Sequence, residues 1–285
     1  MPEVRLDQGT IQYDEVGSGP PMVFVHGFFV DAQLWRDVVP ELSRDFRCIV
    51  PTWPFGAHRI PMEPDCDLSP PGIAKLIDDF LAALDLEDVI LVANDTGGGY
   101  SQIVATEYPE RIGKLVLTPC DAYTYFPTPL FRYLKVLSRI PVTLWGTQLL
   151  RWRFFERQPW FFGWLTKRRV EQSLIHSWIA PFASSREIRR DNAKFLRGIH
   201  KRHTLRAAEK LAGFDRPTLI AWAREDKLFP LRHGERLAAT IPDARLEIIE
   251  DAYTYVSLDQ PGRVIDLVRA FAKEPSPLPS GATTA

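Results

Sequence analysis

The stretch Val89–Gly99 reads VILVANDTGGG and decides how the rest of the chain is interpreted. Its apolar start predicts a buried strand, and its glycine-rich end predicts a tight turn into a helix. Small residues, Ala93 and Gly97, stand two positions before and after Asp95. A strand and a helix that cross closely need small side chains at such positions, so the pattern predicts a sharp turn that presents Asp95 at a helix N-terminus. An ordinary N-cap aspartate is the alternative.

Short apolar runs on both sides of this stretch predict further strands. They are separated by segments with helical spacing of apolar residues, and Ser69 followed by two prolines predicts the start of one such helix. Alternation of strand and helix is typical of a mostly parallel sheet with helices on both faces. The predicted central strands are Pro21–Val25, Phe46–Val50, Lys114–Leu117 and Pro217–Trp222.

The pattern changes in the middle of the chain. Residues 122–205 contain no clear strand and are rich in tryptophan and arginine. We therefore predict a helical cap insertion at 122–205 that interrupts an α/β core formed by residues 1–121 and 206–274. The proline-rich segment 275–285 predicts a disordered tail.

Composition narrows the classes of partner. With 285 residues, 45% of them hydrophobic, and a net charge of −1, the chain has material for a large core and no electrostatic basis for binding nucleic acid or an anionic membrane. The apolar runs are too short for a transmembrane helix, and the N-terminus has no signal-peptide pattern. Three cysteines without metal-like spacing predict reduced thiols in a cytoplasm. We expect no metal and no cofactor, and we expect a monomer or a homodimer.

Two backbone N–H groups are expected to face the end of the Val89 strand. Ligand sites of open parallel sheets lie beyond the carboxyl ends of the strands. His26-Gly27 follows one such strand, and we expect His26 to shape the loop so that the N–H of Phe28 points into the site. The N–H of Thr96 is the second expected donor for an oxyanion.

Acidic residues stand at two further strand ends. Asp226 follows the strand that ends at Trp222, where it is placed to orient a base. Asp121 follows the strand that begins at Lys114 and is a second candidate acid. For Asp121 we favour the interpretation of an N-cap for the insertion, while a turn aspartate is the structural alternative for Asp226.

Taken together, these motifs make the chain resemble the α/β-hydrolases of the haloalkane dehalogenase and epoxide hydrolase branch over nearly all of residues 10–273. The resemblance implies an eight-stranded, mostly parallel sheet with helices on both faces and a helical cap. It also implies that Asp95 attacks an electrophilic carbon to form an ester. A histidine oriented by Asp226 would then activate the water that hydrolyses the ester, and the cap would hold the leaving atom.

The chain departs from this branch where the histidine belongs. The segment Glu250–Pro261 matches the family's last turn, and Thr254 takes the histidine position. Threonine has no accessible pKa near neutrality and cannot replace imidazole as a base. Thr96 and Phe28 stand where dehalogenases carry the tryptophan and asparagine that bind halide, which argues against haloalkane dehalogenation.

A relocated base and an apolar pocket complete the prediction. His58, in a proline- and glycine-rich loop after the strand Phe46–Val50, is the candidate base, with an ordinary surface histidine as the alternative. Phe29, Trp178 and Tyr253 are expected to line a pocket for an apolar small molecule.

Three functions remain open at this point. The first is a hydrolase that uses Asp95 against an epoxide- or ester-like electrophile with an atypical or relocated base. The second is a lyase, isomerase or cyclase in which Asp95 acts as a general base without forming an ester. The third is a ligand-binding protein with an inactive site, because a fold does not establish a function.

Overall fold

The computed structural model describes residues 1–137, 158–159 and 161–275. The strands are β1 (Glu3–Leu6), β2 (Gly9–Val16), β3 (Pro21–Val25), β4 (Arg47–Pro51), β5 (Val89–Asp95), β6 (Ile112–Cys120), β7 (Thr218–Ala223) and β8 (Ala244–Ile249). They form one sheet in the order β1-β2-β4-β3-β5-β6-β7-β8. The pairs β1–β2 and β2–β4 are antiparallel and the other five are parallel. The predicted eight-stranded, mostly parallel sheet is confirmed.

Helices connect the parallel strands. Those described are α1 (Val39–Leu42), α2 (Pro70–Ala83), α3 (Thr96–Glu107), α4 (Tyr133–Leu137), α5 (Gln172–Ser184), α6 (Arg186–Gly198), α7 (Lys201–Lys210), α8 (Leu231–Thr240), α9 (Val256–Asp259) and α10 (Pro261–Lys273). Helix α2 packs against α3, and α1 packs against α10. Helix α3 begins directly after β5, so its N-terminus meets the end of the central strand.

The centre of the sheet is buried on both faces. Every residue of β5 and β6 is buried, which is the arrangement that continuous apolar runs predict for central parallel strands. Besides Asp95 at the end of β5, the charged residue among them is Lys114 in β6. Its ammonium group donates hydrogen bonds to the carbonyl oxygens of Phe271 at 3.1 Å and Ala272 at 2.9 Å, and it thereby ties the sheet to the end of α10.

The helices between β6 and β7 are fixed to the rest of the protein by buried polar contacts. The indole nitrogen of Trp178 on α5 donates to Asp31 at 2.8 Å, and the hydroxyl of Thr204 on α7 donates to the carbonyl of Tyr123 at 2.7 Å. The backbone N–H of Lys167 donates to the Asp259 carboxylate at 2.8 Å. These inserted helices, α4 to α7, thus have a defined position over the core.

Parts of the predicted domain division lie outside the described residues. These are 138–157 and 160 of the cap and 276–285 of the tail. The division at residue 205 stays a prediction, and it falls inside the continuous helix α7. Among the helices in the described ranges, none has the length and apolar character needed to cross a membrane.

Gly97 provides a test of the crossing between β5 and α3. A Cβ atom on Gly97 would lie 2.6 Å from the carbonyl oxygen of Val25 and closer still to that of His26. Gly97→Ala should therefore lower the free energy of unfolding by about 3 kcal/mol, because backbone has to move to admit the methyl group. Gly262→Ala is the control, since nothing lies within 4 Å of a Cβ there. Equal stability of the two variants in urea denaturation would contradict the crossing.

Candidate active site

Asp95 sits at the tip of a strained turn. It ends β5, and its backbone has φ 53° and ψ −132°, in the region that residues with a side chain avoid. Such a conformation costs about 1–3 kcal/mol and persists only where the surroundings enforce it. Here Gly97 allows α3 to cross the carbonyl groups of β3 closely, and the turn leaves the Asp95 side chain 7% exposed. The predicted sharp turn is present in the structure.

The two predicted N–H donors meet at the Asp95 carboxylate. The N–H of Phe28 donates to Asp95 Oδ2 at 3.3 Å, and the N–H of Thr96 also hydrogen-bonds to this carboxylate. Gly27 permits the approach, because a Cβ atom there would lie 2.6 Å from Asp95 Cβ. One carboxylate oxygen therefore occupies a site that is built for negative charge.

His26 holds the loop that carries Phe28. Its Nε2 accepts from the N–H of Trp53 at 2.8 Å, and its Nδ1 lies 2.8 Å from the carbonyl oxygen of Gly27, to which it donates. Burial lowers the pKa of His26 to about 4, so the ring is neutral and these two bonds fix one tautomer. The structure places His26 in the loop-shaping role that the sequence predicts.

Thr254 stands beside Asp226. Its hydroxyl donates to Asp226 Oδ2 at 3.0 Å and Oδ1 at 3.2 Å, and the carboxylate also accepts from the N–H groups of Leu228 and Phe229 at 2.7 Å each. The side-chain amide of Asn94 donates to the carbonyl of Thr254 at 2.8 Å, which ties the last turn to β5. Thr254 thus occupies the place in which an imidazole would contact this acid.

Asp121, the second candidate acid, lies directly beside Asp95 in the structure. It follows Cys120, the β6 partner of Asp95, and its N–H donates to the Asp95 carbonyl at 3.2 Å. The N-cap interpretation is wrong, because the next described helical turn begins only at Pro129. Asp121 is 3% exposed, and its Oδ1 has no hydrogen-bond partner within the described residues. Its position directly after a central strand was the available signal.

Three carboxyl groups at the site have raised pKa values, mainly because they are buried. Burial is the largest cause in each case, and it raises the pKa of Asp95 and of Asp226 to about 7 and that of Asp121 well above its usual range. The charge of Asp95 adds to the rise at both of the other residues. Hydrogen bonds from Phe28 and Thr96 oppose the rise at Asp95. The site is therefore able to hold protons near neutral pH.

Aromatic rings cover the Phe28 loop. The Phe28 ring stacks on Phe195 of α6 with centroids 5.3 Å apart, and Phe29 meets Phe182 of α5 at 5.1 Å. Both partners belong to the inserted helices, so these helices supply apolar surface next to the N–H donors. Phe29 is part of this aromatic cluster, and its role as a pocket residue stays a prediction.

The other predicted site residues lie elsewhere. The His58 ring is buried and pairs with Asp191 of α6 at 3.4 Å, so it joins a loop to the inserted helices. Trp178 is fully buried on Asp31, and Tyr253 packs its ring between Lys227 and Lys167. The contacts of His58 and Trp178 join the core to the inserted helices, and the functional roles of all three residues stay predictions.

No histidine within the described ranges hydrogen-bonds to Asp95 or Thr254. In the same part of the chain, no group of three or more His, Cys, Asp or Glu side chains is arranged to hold a metal ion. The chemistry available at the turn is that of carboxyl, hydroxyl and backbone N–H groups. These groups can attack an electrophile, stabilise an oxyanion and exchange protons.

The electrostatics of Asp95 predict a change in stability. Its folded pKa, about 7, exceeds the ordinary 3.8, so this group leaves stability unchanged below about pH 4, lowers it progressively as pH rises from about 4 to 7, and lowers it by a constant amount above pH 7. Asp95→Asn should therefore stabilise the fold in denaturant at pH 8 more than at pH 4. Asp45→Asn should behave oppositely, since Lys273 and Arg269 lower the Asp45 pKa. Destabilisation by Asp95→Asn at pH 8 would contradict the assigned electrostatics.

Comparisons with known proteins agree with the fold. A family model of the α/β hydrolase fold matches residues 20–261. Haloalkane dehalogenase 2 of Mycobacterium tuberculosis is 27% identical over 270 residues, covering 90% of this chain and 89% of that protein. The cis-3-alkyl-4-alkyloxetan-2-one decarboxylase of Shewanella oneidensis is 27% identical over 285 residues, covering 93% and 85%. The crystal structure of an α/β hydrolase fold protein from Burkholderia ambifaria gives a TM-score of 0.78 at 22% identity, covering 94% of this chain and 96% of that one.

These comparisons bear on the predicted fold and on the predicted resemblance to haloalkane dehalogenases. The solved structure supports the fold, and the relatives include a haloalkane dehalogenase, as the sequence motifs indicate. The matched family region contains β3 to β8 and with them every strand end that contributes to the site. The chain belongs to the α/β-hydrolase fold family.

Proposed function

We propose that the protein uses Asp95 as a nucleophile against an apolar electrophile and forms an ester on its carboxylate. The observation that carries this proposal is the Asp95 carboxylate on its strained turn, with Oδ2 bound by the N–H of Phe28. This bond leaves Oδ1 as the attacking atom. The aromatic rings of Phe28 and Phe29 beside it suit an apolar substrate.

The geometry supports both halves of such a reaction. Asp95 Oδ1 attacks a carbon atom, the bond to the leaving group breaks, and the leaving group departs with the electron pair. Oδ2 then becomes the carbonyl oxygen of the ester and stays on the N–H group of Phe28, with the N–H of Thr96 beside the carboxyl. When water adds to that carbonyl carbon, negative charge develops on Oδ2, where the donors already lie.

Hydrolysis of the ester needs a proton acceptor, and we assign this role to Asp226 acting through Thr254. The Thr254 hydroxyl already donates to Asp226. A water that donates to Thr254 Oγ passes its proton there while the threonine proton moves to Asp226. The Asp226 pKa of about 7 makes this carboxylate a better acceptor than an ordinary one. The relay is less effective than a directly placed imidazole, so loss of the ester is expected to be slow.

Two relatives support the substrate class. Their names denote enzymes that act on a haloalkane and on an alkyl-substituted oxetan-2-one. Both compounds are apolar and carry an electrophilic carbon with a leaving group. We extend this common property to the present chain, whose curated relatives match it at 27% identity.

A second function is favoured by one observation. A pKa of about 7 is suited to a general base at neutral pH, so Asp95 is also matched to proton abstraction in a lyase, isomerase or cyclase. That reaction forms no ester. The two functions therefore differ in whether the mass of the protein changes during turnover.

Intact-protein mass spectrometry distinguishes these functions. After exposure to a panel of alkyl epoxides and alkyl halides, the protein should gain the mass of the whole epoxide or of the alkyl group of the halide, and peptide mapping should place the added group on Asp95. Asp95→Asn keeps the shape of the side chain and should show no gain. Absence of an adduct from the native protein across the panel would contradict the covalent function and leave general-base chemistry or ligand binding.

Substitutions at Thr254 test the relay to Asp226. Thr254→Val removes the hydroxyl at nearly constant volume and should slow the decay of a preformed ester about 100-fold, the lower range for a general base. Thr254→Ser should keep most of the rate, and Thr254→His should exceed the native rate. Formation of the ester should change little in all three. Equal decay in the valine and serine variants would rule out the relay.

A further inference from the structure

Two buried polar atoms near Asp95 are unused by the proposed reaction. They are Oδ1 of Asp121 and the hydroxyl oxygen of Tyr100, and neither has a hydrogen-bond partner in the part of the chain that the structure describes. Tyr100 is fully buried and Asp121 nearly so. Buried polar groups are almost always paired, so these two unpaired groups are available to hydrogen-bond to a bound molecule.

Asp121 is held firmly beside Asp95. The Gln102 side chain donates to the Asp121 carbonyl at 2.8 Å, and a Cβ atom on Gly99 would lie 3.2 Å from Asp121 Cβ. The N–H of Asp121 donates to the Asp95 carbonyl at 3.2 Å, and the charge of Asp95 raises the pKa of the Asp121 carboxyl, so the two residues belong to one site. Asp121 therefore occupies a fixed place within reach of a molecule that is bound to Asp95.

The two carboxyl groups flank the reacting position from different strands. Strand β5 lies between β3 and β6 in the sheet. The Phe28 donor follows β3, and Asp121 follows β6. Oδ2 of Asp95 faces the β3 side. A substrate at Oδ1 can thus extend its leaving group to the β6 side, where Asp121 lies and where the Tyr100 ring meets Phe126, another residue that follows β6, at a centroid distance of 5.6 Å.

Asp121 and Asp95 differ in protonation state. Two buried carboxyl groups at one site do not both ionise readily, and the less exposed one keeps its proton. Asp121 is 3% exposed and Asp95 7%, and burial together with the charge of Asp95 raises the pKa of Asp121 well above its usual range. Burial also keeps the Tyr100 phenol protonated. Both groups are therefore hydrogen-bond donors when Asp95 is a carboxylate.

We propose that Asp121 is the proton donor to the leaving group and that the Tyr100 hydroxyl binds the same atom. This inference rests on the proposed nucleophilic role of Asp95. As Asp95 Oδ1 bonds to carbon, the carbon–oxygen bond of a strained cyclic ether breaks and the oxygen takes the Asp121 proton. The products are a hydroxyalkyl ester on Asp95 and the Asp121 carboxylate. The site thereby selects an alkoxide leaving group, which needs a proton, over a halide, which does not.

The test compares a terminal epoxide with a bromoalkane of equal chain length. The rate of adduct formation is measured for each by rapid-quench intact-mass spectrometry. Asp121→Asn preserves shape and should slow alkylation by the epoxide about 100-fold while leaving alkylation by the bromoalkane unchanged or faster. Tyr100→Phe should slow the epoxide reaction alone, about tenfold. Tyr123→Phe is the matched control, because that buried hydroxyl pairs with Thr240 and should affect neither rate.

The possible outcomes distinguish failure of proton donation by Asp121 from failure of the nucleophilic role of Asp95. If the native protein is alkylated by neither compound, the nucleophilic role of Asp95 fails. If both are alkylated and Asp121→Asn slows both equally, or slows neither, proton donation by Asp121 is overturned and the function stands. If only the epoxide reacts with the native protein, the selection is supported, and the effect of Asp121→Asn on the epoxide rate decides the role of Asp121.

Discussion

The burial of one carboxylate on a strained turn is the constraint on which the site depends. Asp95 is kept in an unfavourable backbone conformation and out of solvent, and the N–H groups of Phe28 and Thr96 only partly replace the lost water. Such an arrangement lowers the stability of the fold. The sheet, whose central strands are entirely buried, supplies the stability that offsets this loss. A raised pKa and a pre-bound oxygen are the chemical consequences.

The last turn pairs a threonine with a buried acid. The hydroxyl of Thr254 donates to Asp226, so the acid has a buried partner. Threonine does not titrate near neutrality, whereas burial lifts the pKa of Asp95 and of Asp226 toward neutral. The proposed function therefore assigns the proton transfers to Asp121, Asp226 and Asp95.

The fold followed from the sequence because its signals are local. The apolar run before Asp95 and small residues such as Gly97 describe a crossing of two adjacent elements, and the structure has that crossing. The hydrogen-bond partners of His58 and Trp178 could not be predicted from local sequence signals. They lie 133 and 147 positions away in the chain, and only the docking of the inserted helices decides them. Asp121 was undervalued for a related reason, since its environment depends on burial.

The central claim is that an ester forms on Asp95. A single turnover of an apolar epoxide in ¹⁸O-labelled water tests it most directly, with the label traced in the peptide that contains Asp95 and in the product. Attack of water on the ester carbonyl leaves one labelled oxygen in the Asp95 carboxylate, and the product takes its new oxygen from the protein. The covalent function of Asp95 predicts ¹⁸O in the Asp95 peptide. Label in the product alone would show that water attacks the substrate directly and would contradict the account.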